Sequence, residues 1–299
     1  MMFRFKFYCF LLIFSYLISS TDNLFGIISS SRNVGIGSIH ISSDNISSIF
    51  DGPILKNKID ETIFFSTGKY GDLFNVYHFS SNIYNDDISN LSIGIVRREI
   101  SDIFNTQLLV QEGVYPSLEN LNYDNIYSYS DSETGMLISY NKFLNSNFII
   151  NLNFKPIFHQ IDNINAVGSS FDLRYLYFLK DLKLMLAVDN ILSFKKWDTG
   201  EFEKNNIDGF ISIEKKIDDL STIFTEFNIV DGFKIGYELK IQNNIFVRIG
   251  RNDANSSFGL GFNFSSIKLD YAYVKNENNF FYDSHRVGFN FNLQKELQN

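Results

Sequence analysis

The sequence predicts an all-β fold, a transmembrane antiparallel β-barrel of about 14 strands with its N-terminal segment inside. Three observations lead to this prediction: strictly alternating strands, an export signal at the start, and no later apolar run of helical length. The alternation is clearest in residues 233–241, 267–273 and 287–293, where every second residue is apolar. A period of two places those side chains on one face of an extended strand and leaves the other face polar.

Residues 1–20 are typical of a signal peptide. Arg4 and Lys6 precede an apolar run of about a dozen residues, which is too short to cross a membrane as a helix. Ser19 and Ser20 follow, so we expect cleavage near residue 20 and export to the outer membrane; an uncleaved anchor is the alternative. The single cysteine, Cys9, lies in this run, so the mature chain is expected to lack disulfide and thiolate chemistry.

The rest of the chain divides into three predicted parts. Residues 21–61 are rich in serine, asparagine and isoleucine, and we expect them to pack inside or beneath the barrel as a plug-like segment. The predicted bend residues of this plug are Gly35, Gly37, Asp44 and Pro53. Residues 62–293 carry the barrel strands, and residues 294–299 form a tail. Within the barrel, residues 101–133 are predicted to be a long polar segment without strands, and such segments are usually functional or disordered.

Composition argues against several classes of function. The net charge of -8, without a basic stripe, gives no support to nucleic-acid binding. None of the four histidines has a second histidine or a cysteine at metal-ligand spacing, and the sequence contains no catalytic constellation. We therefore predict a protein that is not an enzyme and uses no cofactor or metal.

Charged residues on the polar face of the last strands form a candidate site. Their shared inward parity predicts a luminal polar cluster with the members Arg248, Asp270, Arg286, Lys268 and Glu238. One interpretation is a solvated, salt-bridged barrel wall. The other is a site that orients a substrate head group or holds the plug, with Asp270 and either Arg248 or Arg286 as the pair to test.

Trp197 is the only tryptophan of the chain. It follows two lysines and precedes Asp-Thr-Gly, a sequence typical of a strand that ends in a polar connection. Because tryptophan is enriched at membrane interfaces, we predict that Trp197 is an interface anchor, with a partner contact in a loop as the alternative.

Stretches along nearly the whole mature chain resemble a known family, most of all near its two ends. Residues 31–37, Ser-Arg-Asn-Val-Gly-Ile-Gly, are followed by Asp44 and Gly52-Pro53 and resemble the N-terminal signature of the PorV/PorQ outer-membrane proteins. Those proteins are relatives of the FadL-type fatty-acid transporters. Residues 269–273, Leu-Asp-Tyr-Ala-Tyr, resemble the family's C-terminal signature most closely. The chain departs from the family pattern at 51–54, where Asp-Gly-Pro-Ile stands in place of Asn-Pro-Ala-Gly.

This resemblance implies a FadL-like outer-membrane barrel of about 14 strands. Members resembling PorV are accessory subunits of type IX secretion that hold substrate proteins, so the first expected role is an accessory role in protein secretion. The first alternative is a FadL-like transporter of long-chain fatty acids or other hydrophobic small molecules, and the second is a secreted soluble β protein. The expected partners are outer-membrane lipid, with secretion-system subunits and secreted proteins in the first role and hydrophobic small molecules in the first alternative.

Overall fold

The computed structural model describes residues 24–27, 30–43, 46–55, 62–71, 73–106, 124, 126–264, 266–277 and 283–292. The predicted signal peptide, the predicted bend residue Asp44 and the tail at 294–299 lie outside these residues. In the part of the chain that is described, none of the helices has the length and apolar character needed to cross a membrane.

Within the described residues, fifteen strands form one sheet. Their bounds are β1 (Thr62–Tyr70), β2 (Phe74–Asn85), β3 (Ser89–Asn105), β4 (Tyr127–Asn145), β5 (Phe148–Ile161), β6 (Ile164–Leu179), β7 (Leu182–Trp197), β8 (Phe202–Glu203), β9 (Asp208–Lys216), β10 (Ser221–Asn228), β11 (Gly232–Gln242), β12 (Ile245–Arg251), β13 (Asn255–Asn263), β14 (Ile267–Asn276) and β15 (Ser284–Asn292). The two-residue strand β8 pairs with the end of β7, and the other 14 strands make the wall.

The wall is closed. Each strand pairs antiparallel with its neighbours along the chain, and β1 also pairs with β15, where Phe65 lies opposite Phe289. Closure leaves the sheet without free edges, which is the condition for a β-structure to span lipid. The predicted closed antiparallel barrel of 14 strands is therefore confirmed.

Short and long connections alternate between the two rims. The rim where β1 begins and β15 ends has short connections, such as residues 146–147, 180–181 and 243–244. We call it the chain-end rim. The opposite rim, the long-loop rim, carries residues 106–126, 198–207 and 277–283. Outer-membrane barrels have short periplasmic turns and longer outer loops, and this alternation follows the same pattern.

The prediction that residues 101–133 lack strands was wrong at both ends. β3 continues to Asn105 and β4 begins at Tyr127, so residues 101–105 and 127–133 belong to strands. Between Ile100 and Ile103 the β3–β4 register shifts, and Asp102 has a φ of 57°. A bulge of this kind breaks the period of two, so the alternation that marks a strand in the sequence is lost there.

The outer face of the wall is apolar and the inner face is polar. On β5, for example, Leu152 is 50 % exposed on the outside, whereas Asn151 and Lys155 on the inside are at most 1 % exposed. Exposed apolar residues of other strands include Phe79, Ile95, Phe171, Leu186, Ile211, Phe233 and Ile249. Together these side chains form a belt around the barrel, far larger than the apolar patches of a few hundred Å² that soluble proteins expose.

The wall has unequal height. The high wall comprises β3 to β7, whose strands are 14 to 19 residues long. The low wall comprises β9 to β15 and β1, whose strands are 7 to 11 residues long. At about 3.3 Å per residue, β12 is roughly 23 Å long and β4 roughly 63 Å. The long-loop rim is therefore recessed on the low-wall side.

The N-terminal segment lies inside the barrel. It contains a 3-10 turn at Leu24–Gly26, the short helix α1 at Ser31–Gly35 and a second 3-10 turn at Ile46–Phe50. Many of its apolar side chains are fully buried, including those of Ile36 and Ile49. On the high-wall side, Phe25 and Phe50 pack onto Gly135 and Gly94, because these inward positions have no side chain to exclude the rings. The segment thus bridges the lumen from one wall to the other.

Candidate functional site

The backbone of the N-terminal segment lies directly on the backbone of the low wall. Gly236 of β11 and Gly250 of β12 face each other in register, and a Cβ atom on either would overlap the backbone at residues 36–37. A Cβ on Gly259 of β13 would lie 3.0 Å from the Cα atom of Gly35. We call this contact the glycine seam; its members are Gly35, Gly37, Gly236, Gly250 and Gly259.

An ion-pair cluster closes over the glycine seam. The Glu238 carboxylate accepts hydrogen bonds from Arg32 Nε and Nη2, both at 2.8 Å, and from Arg248 Nε at 2.6 Å. The Nη1 atom of Arg248 donates to Asp270 Oδ1 at 2.6 Å. The neighbouring Gly261 leaves the space that this second pair occupies. These four charged residues, which we call the Arg32 cluster, join α1 to β11, β12 and β14.

The structure brings together three of the five residues of the predicted polar cluster. Glu238, Arg248 and Asp270 belong to the Arg32 cluster. Lys268 lies two residues before Asp270 in β14 and faces Asn263 and Asn290 in register. Arg286 is buried elsewhere, against the ring of Tyr70.

Sequence reasoning missed Arg32 as a member of the cluster. Strand parity predicts which residues of the wall face inward, but it says nothing about which luminal residue meets them. A signal was present, because Arg32 is the only arginine or lysine between residues 21 and 55. A lone cation in a segment expected inside a barrel would require a carboxylate on the wall.

The remaining predicted bend residues are also inside the barrel. Gly35 and Gly37 belong to the glycine seam, and Pro53 is buried in the turn that follows the second 3-10 turn. Next to it, Ser43 and Ile54 form an isolated parallel bridge, so residues 51–54 pack back onto the preceding part of the segment.

A second set of buried ion pairs lies on the high wall. Lys155 Nζ is 2.6 Å from Asp172, and Arg174 Nη2 is 2.8 Å from Asp189. Arg174 Nη1 also donates to the carbonyl oxygen of Phe50 at 3.0 Å. This bond connects the second 3-10 turn to the wall opposite the Arg32 cluster.

A third set lies on β9 to β11. Glu226 is 2.9 Å from Lys234 Nζ and accepts a hydrogen bond from the backbone N–H of His40 at 2.7 Å. Lys234 Nζ in turn donates to the carbonyl oxygen of Ser38 at 3.3 Å. The N-terminal segment is therefore held by charged groups at three places around the wall.

The structure places Trp197, the predicted interface anchor, on the inner face of β7. Trp197 is 8 % exposed and shares the inward parity of Lys195 on β7. Its Nε1–H donates to Glu203 at 2.7 Å, and its ring lies 5.0 Å from that of His159. A buried indole needs a partner for its N–H, and the short strand β8 supplies that partner from within the protein.

Tryptophan fluorescence tests this placement directly, because all tryptophan emission of the chain comes from Trp197. We expect brominated lipids to leave the tryptophan emission of the reconstituted protein unchanged, since the ring faces inward. A matched variant with Phe154→Trp and Trp197→Phe moves the indole to the outer face and should be strongly quenched. Strong quenching of the native protein would place Trp197 at the lipid after all.

A cavity of about 450 Å³ lies between the N-terminal segment and the low wall, at the recessed part of the long-loop rim. The segment contributes Ile27, Val34 and Ser38. The wall contributes strand ends and connections, among them residues 252–255 and 274, and the buried residue Arg286. This volume is within the range of pockets that hold one small molecule. Within the described residues, no group of three or more histidine, cysteine, aspartate or glutamate side chains could hold a metal ion.

Comparisons with known proteins identify the type of barrel. No family model and no curated protein sequence matches the chain. Among solved structures, it is similar to the Ralstonia pickettii toluene transporter TbuX, with a TM-score of 0.59, 8 % identity, and coverage of 90 % of this chain and 99 % of that one. It is also similar to the Pseudomonas putida toluene transporter TodX, with a TM-score of 0.60, 11 % identity, and coverage of 92 % of this chain and 100 % of that one. A Pseudomonas aeruginosa FadL homologue has a TM-score of 0.54 and 10 % identity, with coverage of 92 % of this chain and 99 % of that one.

These similarities show a shared fold. The chain is an almost entirely β protein with the architecture of the FadL-type outer-membrane barrels, and it covers nearly the whole length of each of these structures. At identities of 8 to 11 %, the similarity shows the fold alone and does not identify a substrate. The features that bear on function lie in the lumen.

Proposed function

We propose that this protein is an outer-membrane barrel that admits hydrophobic small molecules, with the N-terminal segment as its plug. The observation that carries the proposal is the cavity of about 450 Å³, which lies directly between that segment and the low wall. A molecule that enters at the long-loop rim meets Val274 on the wall and Ile27 and Val34 on the plug itself. The FadL-type fold, which the toluene transporters TbuX and TodX share, is consistent with this role.

The apolar belt supports an outer-membrane location over a secreted soluble protein. A charged residue on the lipid face of a barrel costs about 2–4 kcal/mol at mid-bilayer, and the inner face of this wall holds the buried charges instead. A soluble protein would gain nothing from this inverted arrangement, because water would meet the apolar face. The sequence of residues 1–20 adds an export signal to this argument.

Filling the cavity is expected to block uptake. In a strain that lacks the native gene, the wild-type protein should restore uptake of labelled toluene or a labelled fatty acid. Val274→Trp places a large ring in the cavity and should reduce the initial uptake rate to near the background of the deletion strain. Val188→Trp, on the outer face of β7 where the native side chain is 41 % exposed, is the matched control and should retain uptake.

Two results would contradict the proposal. Uptake of hydrophobic compounds that is the same with and without the gene would exclude the transport role. Equal rates for Val274→Trp and the wild type, at equal amounts of folded protein, would exclude the cavity as the route.

A second candidate function, an accessory role in type IX-like secretion, rests on the PorV/PorQ-like stretches at 31–37 and 269–273. Affinity purification of the full chain from its native membrane tests it. Recovery of secretion-system subunits or secreted proteins in stoichiometric amounts would favour this role, and repeated recovery of the barrel alone would count against it.

A further inference from the structure

An apolar groove of about 330 Å³ lies on the outer face of the low wall, across β10, β11 and β12. The apolar side chains that line it point outward from these strands: Ile223, Ile235, Tyr237 and Ile249. Its lining also includes Gly236 and Gly250, which contact the N-terminal segment on the opposite face of the sheet. Because this face is part of the apolar belt, the groove opens toward lipid.

Arg251 lies at the end of the groove that is nearest the long-loop rim. It is the last residue of β12 and lies opposite Ile235 in register. Among the outward positions of β10, β11 and β12, all of which the structure describes, Arg251 is the only charged residue. A charged side chain beside the lipid face is unfavourable unless its charged end reaches the head-group region.

The short length of β12 brings the head groups to Arg251. Seven residues span roughly 23 Å along the strand. The tilt of about 35–45° that outer-membrane strands adopt reduces this height further, so the strand is no taller than the apolar band of about 25 Å. The end of β12 therefore lies at the level of the lipid head groups on the long-loop side of the membrane.

The pair with Glu277 does not saturate the Arg251 guanidinium. Arg251 Nη2 lies 3.0 Å from Glu277 Oε1 and 3.1 Å from Oε2. Both side chains are exposed, at 61 % and 42 %, and exposed pairs of this kind are weak. A guanidinium carries five N–H donors, so Arg251 can contact a phosphate in addition to this carboxylate or in exchange for it.

We propose that the groove binds one lipid of the outer leaflet, with an acyl chain along the groove and an anionic phosphate head group on Arg251. A volume of about 330 Å³ is at the lower end of the range for small-molecule sites and suits a single chain. The outer leaflet follows from the long connections of the adjacent rim, which face outward in barrels of this type. The site is on the outside of the barrel, so it does not depend on the luminal cavity or on transport.

Quenching by brominated lipids measures which lipid occupies the groove. The full chain is reconstituted into mixtures of anionic phosphatidylglycerol and zwitterionic phosphatidylcholine, one of which carries bromine on its acyl chains. The reporter is Val247→Trp with Trp197→Phe, because Val247 faces outward two residues from Ile249. Phe154→Trp with Trp197→Phe, on the outer face of β5, is the matched control reporter. We expect phosphatidylglycerol to be favoured about fivefold at the groove, since one cation near a membrane surface contributes about that ratio, and not at the control.

Variants assign this preference to Arg251. Arg251→Gln should reduce it to that of the control reporter, and Arg251→Lys should retain part of it. Glu277→Gln removes the competing carboxylate and should increase the preference. These opposite effects separate lipid binding from a purely structural ion pair, which either substitution breaks alike. Lys69→Gln removes an exposed cation of the same rim on β1 and should leave the preference unchanged.

Four results would overturn the proposal. The first is an equal lipid preference at the groove and control reporters, and the second is a preference that survives in Arg251→Gln or falls in Glu277→Gln. Loss of the preference on addition of millimolar inorganic phosphate would indicate an anion site that does not need the acyl chain. Failure of either brominated lipid to quench the groove reporter, while both quench the control, would show that protein covers the groove.

Discussion

Replacing Glu238 by glutamine is expected to lower the free energy of unfolding by about 3 kcal/mol and to release α1 from the low wall. Glu238 accepts three hydrogen bonds from Arg32 and Arg248, and a neutral amide leaves both cations without this charge. Breaking a buried pair from one side costs about 3–5 kcal/mol. The lower end of this range applies because Arg248 retains Asp270 as an ion-pair partner. The Arg32 side chain is also 21 % exposed, so water can solvate part of its charge.

Urea unfolding in lipid bilayers and limited trypsin digestion measure the two effects. Because Arg32 is the only trypsin site between residues 21 and 55, cleavage after it reports release of the segment directly. Glu277→Gln is the control, since Glu277 pairs with Arg251 on the exposed rim and its loss should change stability by no more than about 0.5 kcal/mol. Full protection of Arg32 in Glu238→Gln would show that the glycine seam alone holds α1.

The Arg32 cluster also shows which contacts of the candidate site can be predicted from the sequence and which cannot. Alternation placed Glu238, Arg248 and Asp270 on one face, and the antiparallel order made β11 and β12 neighbours, so the contact between Glu238 and Arg248 was predictable. Asp270 is one strand further away, and its pair with Arg248 crosses β13 at Gly261. The position of Arg32 was not predictable, because a segment without regular period gives no register against the wall. Even so, the sequence places a single cation, Arg32, in residues 21–55 and the carboxylates Glu238 and Asp270 at inward positions of the wall. These opposite charges are complementary.

The same cluster bears on the two family-like stretches. Arg32 belongs to the stretch 31–37 and Asp270 to the stretch 269–273, and Glu238 and Arg248 connect them. Gly35 and Gly37, from the first stretch, pack in the glycine seam. The requirement to seat the segment inside a barrel therefore accounts for much of what these stretches contain. Their presence is explained by architecture and does not by itself distinguish secretion from small-molecule uptake.

Two differences between the sequence-based expectations and the structure have local physical causes. A bulge near Asp102 interrupts the alternation of β3. Residues of the strand beyond the apolar belt do not face lipid, so they need not alternate between apolar and polar. Trp197 stands at a strand end, where an interface position is statistically favoured, but parity with Lys195 turns it inward. Parity was the stronger signal in the second case, because β7 keeps its alternation from Ser193 to Trp197.

Substituting Gly250 by alanine is expected to displace the N-terminal segment and open the lumen. The new methyl group would overlap the backbone of Ile36 and Gly37, and backbone cannot move aside as the end of a long side chain can. Overpacking of a core usually costs about 1–3 kcal/mol, and we expect a value at or above the upper end of this range. Since the wall is a closed ladder of hydrogen bonds, the segment should move rather than β12.

Conductance across planar bilayers reports the opening, because a displaced segment leaves a water-filled passage lined by the charged inner face. We expect sustained conductance steps for Gly250→Ala that the wild type lacks, together with trypsin cleavage after Arg32. Gly209→Ala is the matched control: its methyl would meet the terminal Cδ1 atom of Ile229 at 2.9 Å, and that flexible side chain can rotate away. If the Gly250→Ala barrel stays closed and Arg32 stays protected from trypsin, the seam can accommodate the methyl group, and the charged groups at three places around the wall are what hold the segment.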